Sequence, residues 1–397
     1  MTDEQIRLRI FAALDSFTID IPSWGFSNTG TRFGKFLQEA AATTIEEKFA
    51  DAAEVNRLTG ITPNMALHVL WDLPNGLADV PKIQALEKQF SIRSGSINPN
   101  LFQEAEYKFG SICNPSAEIR QKATNHLIES AEIGKALNSR EVSLWLSDGS
   151  NYPGTQSIRR RIGWMQEALK QTHDVLAEGQ ILLVEYKPFE PAFYHTDIGD
   201  WGMALELARS AGPQAKVLVD TGHHFLGTNI EQIVAWLLHL NMLGGFHFND
   251  RKYADDDLTL GSIDPYQIFR IFHEIHYQQH ATGKIASTPF MIDQSHNLKG
   301  KIEAVIQTVT TAQELYAKAA LVDHEQLATL QDACNLVEAE ELFRGAFWQD
   351  VRPFVAAWRA SRDLAPNPLK ALREDGYVER ITEARRANAS RAVSSYA

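Results

Sequence analysis

The sequence predicts an α/β protein: a single (β/α)8 barrel followed by a helical C-terminal extension. Three observations lead there. Short apolar runs, often β-branched, alternate with longer segments whose apolar residues recur at helical spacing, which implies a parallel sheet. There are eight such runs in the 397 residues, which favours a closed barrel over an open doubly wound sheet. The first strand-to-helix turn, after 17–24, carries no G-x-G-x-x-G of the kind a dinucleotide-binding sheet uses.

The chain opens with MTDEQIRLRIFAALDSF, apolar at helical spacing with charges of both signs. It is read as a helix, since it lacks the basic start, unbroken apolar stretch and small-residue cleavage site of a signal peptide. The strand runs are FTIDIPSW (17–24), MALHVLWD (65–72), FSIRSGSIN (90–98), VSLWLSDG (142–149), ILLVEYKP (181–188), KVLVDTGHH (216–224), GGFHFND (244–250) and PFMIDQSHN (289–297). Each starts apolar and breaks into polar, Gly or Pro residues, as a strand does on reaching a loop. Between them lie helical patterns such as IEEKFADAAEVNRLTG, IGWMQEALKQTHDVLAEG and IEQIVAWLLHLNML. The barrel with its N-terminal helix is assigned to 1–321. Residues 322–397 form the extension, placed either on a neighbouring subunit as an oligomer contact or on its own barrel. The Pro366-Asn367-Pro368 break and the polar end ARRANASRAVSSYA mark a loosely held tail.

Composition bounds the function. Hydrophobic residues at 44% and charged residues at 22% supply a large core. A net charge of −12 argues against a nucleic-acid surface, whose affinity rests on Lys and Arg neutralising phosphates. Cys113 and Cys334 are far apart and outside metal-ligand spacing, so neither a disulfide framework nor a Cys-type zinc site is expected. A reducing compartment, the cytoplasm, follows as the expected location. No apolar run reaches the ~18 residues of a membrane-spanning helix.

In barrels of this kind, chemistry sits at the C-terminal ends of the strands. Glu185 ends the fifth run, with Lys187 two residues on and on the same side of an extended chain. Asp220 ends the sixth, ahead of His223 and His224; His247 lies in the seventh, followed by Asp255 and Asp257; Asp293 ends the eighth, ahead of Ser295 and His296. Taken singly, each has a plain structural reading: a helix N-cap for an Asp, a core histidine for His247, a solvated loop for Asp255–Asp257. Their recurrence at four consecutive strand ends points to a mixed oxygen and nitrogen site for hard or borderline divalent ions. So many carboxylates would repel one another unless cations neutralised them. Two ions are the economical solution, one held by Glu185, Asp220, His247 and Asp293, the other by His223, Asp255 and Asp257. At the early strand ends Trp24, His68, Trp71 and Trp145, with Phe102 in a loop, offer aromatic faces and polar groups suited to a sugar; the structural alternative is that they close the barrel end.

The phrases PSWGFSNTGTRF, VSLWLSDGSNYPG, VEYKPFEPAFY, LVDTGHH, GGFHFNDRKYADDDL and MIDQSHN resemble the L-rhamnose isomerases, in the branch that accepts several aldoses such as D-allose, within the xylose-isomerase-like barrels. The resemblance runs from about Pro22 to Asn297, more weakly beyond. It implies that Glu185, Asp220, His247 and Asp293 hold the ion that binds the sugar's O2 and O3. It likewise implies that His223, Asp255 and Asp257 hold the second ion with its water. Trp24, His68, Trp145 and Lys187 match substrate-contact positions, and Phe102 matches loosely. Phe33 matches a residue that reaches a neighbouring subunit's pocket, which implies a homo-oligomer, typically a tetramer. Two divalent cations per chain are expected, Mn²⁺ first, with Co²⁺, Mg²⁺ or Zn²⁺ as alternatives.

The activity so implied is aldose–ketose isomerisation, L-rhamnose to L-rhamnulose and related pairs such as D-allose to D-psicose, by a 1,2-hydride shift. Lys187 would steady charge on O1, and His68 or Asp293 would assist ring opening. The other route is an enediol, with Glu185 as base. Rival readings are a ketose 3-epimerase on the same fold, a metal-dependent phosphodiesterase and a non-catalytic sugar-binding protein.

Overall fold

A computed structural model describes residues 1–28, 36–190, 194–284 and 288–387. Eight parallel strands stand side by side in chain order: β1 (Ile21–Pro22), β2 (Asn64–His68), β3 (Arg93–Asn98), β4 (Glu141–Leu144), β5 (Ile181–Glu185), β6 (Ala215–Asp220), β7 (Leu243–Phe248) and β8 (Phe290–Ile292). Each falls inside or overlaps one of the eight predicted runs. The ring closes at Asp20, whose N–H donates to the Phe290 carbonyl (2.8 Å) and whose carbonyl accepts from Ile292 N–H (2.9 Å). β1 is short because Pro22 has no N–H to give a ladder, and Ser23–Phe26 turns into a 3₁₀ helix.

A helix follows every strand: α2 (Ile45–Thr59), α3 (Val80–Phe90), α4 (Ala117–Leu137), α5 (Ile158–His173), α6 (Trp201–Ala211), α7 (Ile230–His239), α8 (Pro265–Thr282) and α9 (Lys301–Ala319), with α1 (Asp3–Ser16) ahead of the barrel. Their starts are written in the sequence. Thr2 and Thr44 form capping boxes with Gln5 and Glu47, and Asp200, Asn229 and Asp264 each accept from a first-turn N–H. The core lies between strands and helices, where Val217, Val219, Phe246, Phe248 and Ile292 meet Val234, Phe269, Phe272, Val305 and Val309, all buried. Removing each such side chain from water is worth about 1.5–3 kcal/mol.

The extension, α10 (His324–Asp332), α11 (Leu336–Trp348), α12 (Arg352–Ala360), α13 (Pro368–Asp375) and α14 (Tyr377–Arg385), packs on this chain's own barrel. Trp358 Nε1 donates to Asp15 Oδ1 (2.8 Å), and Arg359 Nε to Gln313 Oε1 (3.0 Å). Buried Asp51 takes Arg385 Nη1 (2.8 Å) and the Tyr377 hydroxyl (3.0 Å). Leu364 seats over Gly60, whose left-handed φ of 73° ends α2; a Cβ there would lie 2.3 Å from Leu364 Cδ1. The tail from 388 onward lies outside the described residues.

Two carboxyls, Asp20 and Glu141, lie inside the lower barrel and share a cavity of about 10 Å³ with Ser96, His247 and Met291. Burial pushes Asp20 up to about 6, partly offset by the 2.9 Å hydrogen bond from Asn64 Nδ2. Burial, then the charge of Asp20, pushes Glu141 up to about 7 against the pull of Arg140. Both folded-state values exceed the unfolded ones, so the folded state binds more protons. The associated stability is complete below pH ~4 and is lost as pH rises through 6 to 7. Glu141→Gln should therefore flatten the pH dependence of unfolding between pH 5 and 8 and raise stability at pH 8, by on the order of 2 kcal/mol. Urea unfolding at both pH values checks this; a loss of stability at pH 8 would contradict it.

Candidate metal centre and active site

The strand register assembles the cluster. Asp220 and His247 are paired across β6 and β7, and Ile292 pairs with Phe248, which carries Asp293 to the same rim. Glu185 ends β5 next to β6. One ligand atom from each of Glu185, Asp220, His247 and Asp293 lies within 4.8 Å of all the others. His247 Nδ1 is 3.3 Å from Glu185 Oε1, 3.6 Å from Asp293 Oδ2 and 3.9 Å from Asp220 Oδ2.

A second convergence shares Asp220 and adds His223 and Asp255, again within 4.8 Å. His223 Nε2 stands 3.4 Å from Asp255 Oδ2, which also pairs with Lys187 Nζ at 2.8 Å. Asp257 adjoins this group rather than converging with it; burial, then the charges of Asp255 and Asp293, push its carboxyl well above the usual carboxylate range. Its φ of 47° is left-handed, a conformation that costs a non-glycine residue about 1–2 kcal/mol. His224 turns away from the cluster, its Nε2 2.7 Å from the Tyr186 hydroxyl. His296 Nε2 lies 3.3 Å from Thr259 Oγ1, and Ser295 Oγ donates to the Trp24 carbonyl.

The supporting layer is what motif reading missed. Asn249 Nδ2 donates to both Asp220 oxygens (3.1 and 3.3 Å) and to the Asp293 carbonyl (3.2 Å), tying two strand ends together. Arg251 clamps the loop after β6 through the carbonyls of Thr221, His224 and Phe225. Gly222 N–H donates to Asp220 Oδ1 (2.6 Å), and a Cβ on Gly222 would sit 2.5 Å from Asn249 Oδ1 and 3.0 Å from Asp255 Oδ1. Only glycine lets that backbone approach so closely. The signals were there, Gly222 inside LVDTGHH and Asn249 inside GGFHFND, but neither residue is a ligand type.

The electrostatics test whether cations fit. Burial drives Glu185 up, yet the imidazoles of His247 and His223 prevail and hold it at about 2. Burial, with Glu185, Asp255 and Asp293 adding to it against His223, lifts Asp220 to about 7. His247, pushed down by burial, is pulled up to about 9 by Glu185, Asp293 and Asp220. The cluster as it stands neutralises itself with protons on its imidazoles. His247 Nδ1 and Asp255 Oδ1 are buried with no hydrogen-bond partner among the described residues. Buried orphan donors and acceptors of this kind are rare unless something else satisfies them, and a carboxylate–imidazole set suits a hard or borderline divalent ion. The residues fit the cations.

A second acidic grouping, Cys113, Asp148 and Asp197, already has partners. Asp148 accepts from Ser111 N, Ser111 Oγ and Cys113 N, while Arg161 holds Asp197 at 2.6 Å. It pins loops.

Facing the cluster is an aromatic wall. Trp24 Nε1 donates to Asp293 Oδ1 (2.9 Å) and meets His68 edge-on at 5.9 Å. His68 stacks on Trp71 at 3.7 Å and touches Phe102 at 5.7 Å, which meets Trp145 at 5.0 Å. Lys187 Nζ sits 5.1 Å from the Trp145 ring centre. Burial holds His68 down to about 4, hence neutral at pH 7, and its Nδ1–H donates to the Val69 carbonyl, which leaves Nε2 as an acceptor. The loop carrying His68 is fixed by Asp72, which takes His68 N–H (2.8 Å) and Lys48 Nζ (2.6 Å). The Trp145 indole N–H is buried with no partner among the described residues. Phe33 lies outside the described residues.

The profile of the xylose isomerase-like TIM barrel family matches residues 49–285. The chain belongs to this family. Over 379 residues it is 37% identical to a probable sugar isomerase of Rhizobium meliloti, covering 94% of this chain and 87% of that protein. It is 37% identical to a probable sugar isomerase of Mesorhizobium japonicum, covering 95% and 88%. Among solved structures it is similar to a D-allulose 3-epimerase from Methylomonas sp. (14% identity, TM-score 0.52, covering 75% of this chain and 98% of that one). It is also similar to a 3-keto-D-glucoside 4-epimerase from E. coli (14%, 0.52, covering 74% and 100%). At these identities the solved structures show the barrel fold alone. No helix among the described residues is long and apolar enough to cross a membrane.

Since cations would displace protons from His223 and His247, metal uptake by the stripped protein should release protons and tighten as pH rises from 6 to 8. Titration in weak buffer with a pH indicator checks it; uptake without proton release would contradict it. Asn249→Ala should weaken metal binding about 10–100-fold, measured by calorimetry, while leaving the circular dichroism spectrum unchanged.

Proposed function

We propose that the protein is a metal-dependent aldose–ketose isomerase of the L-rhamnose isomerase type, acting on L-rhamnose and related aldoses such as D-allose. The observation that carries this is the pair of convergences sharing Asp220, one with Glu185, His247 and Asp293, the other with His223 and Asp255, facing an aromatic wall. The two relatives named as probable sugar isomerases support it. Bound there, two divalent cations, Mn²⁺ first, would orient adjacent sugar hydroxyls, polarise the carbonyl and acidify a water.

The chain's own groups do the rest. Trp24, Phe102 and Trp145 cover the sugar's apolar face and exclude water. The unpartnered Trp145 N–H offers a donor to a hydroxyl. Neutral His68, with Nε2 open as an acceptor, is suited to take the ring-hydroxyl proton on opening. Lys187, anchored by Asp255, presents its ammonium where charge grows on O1 as hydrogen passes from C2 to C1. Glu185, held ionised, serves as ligand in this reading; the enediol route would use it as base instead.

The chain is further proposed to be a cytoplasmic homotetramer in which Phe33 enters a neighbour's pocket. Exposed Phe225, Leu226 and Tyr253, on loops after β6 and β7 at the barrel mouth, provide apolar surface for such a contact. A ketose 3-epimerase would use one ion flanked by two carboxylates, leaving the His223–Asp255 group without a task.

With Mn²⁺ restored, the protein should convert L-rhamnose, and more slowly L-mannose or D-allose, to the ketose, scored by chromatography against D-glucose. Epimerisation of a ketose at C3 with no aldose conversion would overturn the reading. Deuterium placed at C2 should appear at C1; complete wash-out into solvent would exclude the hydride shift. Lys187→Met should lower kcat about 10²–10³-fold with metal content unchanged.

A further inference from the structure

One face of α4 clasps the two loops that build the aromatic wall. Lys122, His126 and Glu129 follow one another at helical spacing, hence along a single stripe of the helix. Lys122 pairs with Glu104 and Glu106, just beyond Phe102 in the loop after β3. Glu129 Oε1 accepts from Leu77 N–H (3.2 Å), in the segment after β2 that also carries Trp71. Gly76, left-handed at φ 58°, makes room there, since a Cβ would lie 2.0 Å from that oxygen. His126 stands between these two clasps, and its Nε2 accepts from the backbone N–H of Asn100 at 2.9 Å.

Asn100 is buried, and the wall is built outward from it. Its Nδ2 donates to Gln103 Oε1 (2.5 Å), and its Oδ1 accepts from Phe102 N–H (3.4 Å). Gln103 Oε1 also accepts from the Trp71 indole N–H (2.6 Å), and Trp71 stacks on His68 at 3.7 Å. Phe102 in turn meets His68 at 5.7 Å and Trp145 at 5.0 Å. One acceptor atom on α4 therefore holds the residue from which Phe102 and Trp71 take their positions. The exposed ion pairs of Lys122 add little to this, as such pairs generally do.

That acceptor exists in one protonation state only. A backbone N–H can only donate, so Nε2 carries the lone pair and Nδ1 the proton. A second proton would set N–H against N–H and leave the buried Asn100 amide without its partner. Burial pushes His126 below the ordinary imidazole range; Glu129 on the same helix opposes this and Lys122 adds to it. On the barrel side, His68 is itself held neutral at about 4, by burial first. A depressed value means that the folded state binds fewer protons than the unfolded one. The latch is complete above the unfolded imidazole value of about 6.5 and is lost as pH falls. His126 is only half-buried, so protons reach it from solvent.

We propose that His126 is a positioning residue for the sugar pocket: its neutral Nε2 latches Asn100, which sets Phe102 and Trp71 in the wall, and acid releases them. The effect on sugar rests on the isomerase reading of that wall; the latch itself does not.

Hydrogen exchange and kinetics on the full-length protein separate the two. Protection of the Asn100 amide, resolved to single residues by mass spectrometry, should fall about 10-fold in His126→Ala at neutral pH. It should return in His126→Gln, whose side-chain oxygen can take the place of Nε2 and does not titrate. Lowered to about pH 5, wild type should lose protection relative to His126→Gln at the same pH. With Mn²⁺ saturating, His126→Ala should raise KM for L-rhamnose about 3–10-fold with kcat little changed, and His126→Gln should restore it. Equal Asn100 protection in wild type and His126→Ala overturns the latch, and equal KM overturns the positioning role. Failure of the wild type to convert any aldose counts against the isomerase reading alone, and the exchange result still decides the latch.

Discussion

Buried like charges govern this molecule. Glu185 and Asp220 are almost wholly shielded from water, Asp255 and Asp293 are largely covered, and all four carboxyls share one end of the barrel with His223 and His247. Taking an ionised carboxylate out of water costs several kcal/mol even after relaxation, and neighbouring carboxylates add to that. Without cations the cluster persists only by holding protons, on His247 up to about 9 and on Asp220 up to about 7. Divalent ions would relieve the same repulsion and make the imidazoles into ligands. The groups that are awkward for stability are those the proposed chemistry requires.

The rest of the barrel serves that constraint. Parallel strands in register deliver one donor each from neighbouring strand ends, and the backbone cannot place them closer without the glycine at 222. Asn249 holds Asp220 and the Asp293 strand end together, and Arg251 fixes the loop that presents His223. These contacts preset the cluster, so a cation would meet donors already gathered and little ordering entropy would be lost on binding. The aromatic wall on the opposite strands then provides a low-dielectric face where charge interactions gain strength.

Much of this was legible in the sequence because barrels have a strong grammar. Period, punctuation and the chemistry of strand ends gave the order of β1 to β8 and put Glu185, Asp220, His247 and Asp293 at one rim. The second convergence was less legible. Asp255 and Asp257 sit in a loop, where spacing does not fix direction, and the structure gathers Asp220 with His223 and Asp255 while Asp257 stands alongside. The positioning groups stayed hidden for another reason. Asn249, Arg251 and Asp72 act through backbone carbonyls, N–H groups and neighbouring carboxylates that no linear pattern displays. The extension also left two placements open, because helix amphipathicity says that a face is buried without saying against what. The Asp51–Arg385 and Asp15–Trp358 contacts put it on its own barrel.

The central claim is that Glu185, Asp220, His247 and Asp293 jointly hold a divalent cation. Diffraction from crystals grown with Mn²⁺, with data collected on both sides of the manganese absorption edge, tests it most directly. An anomalous peak within about 2.0–2.6 Å of donor atoms from all four residues is the predicted result. A map with no peak among these four side chains, at Mn²⁺ concentrations that support turnover, would contradict it.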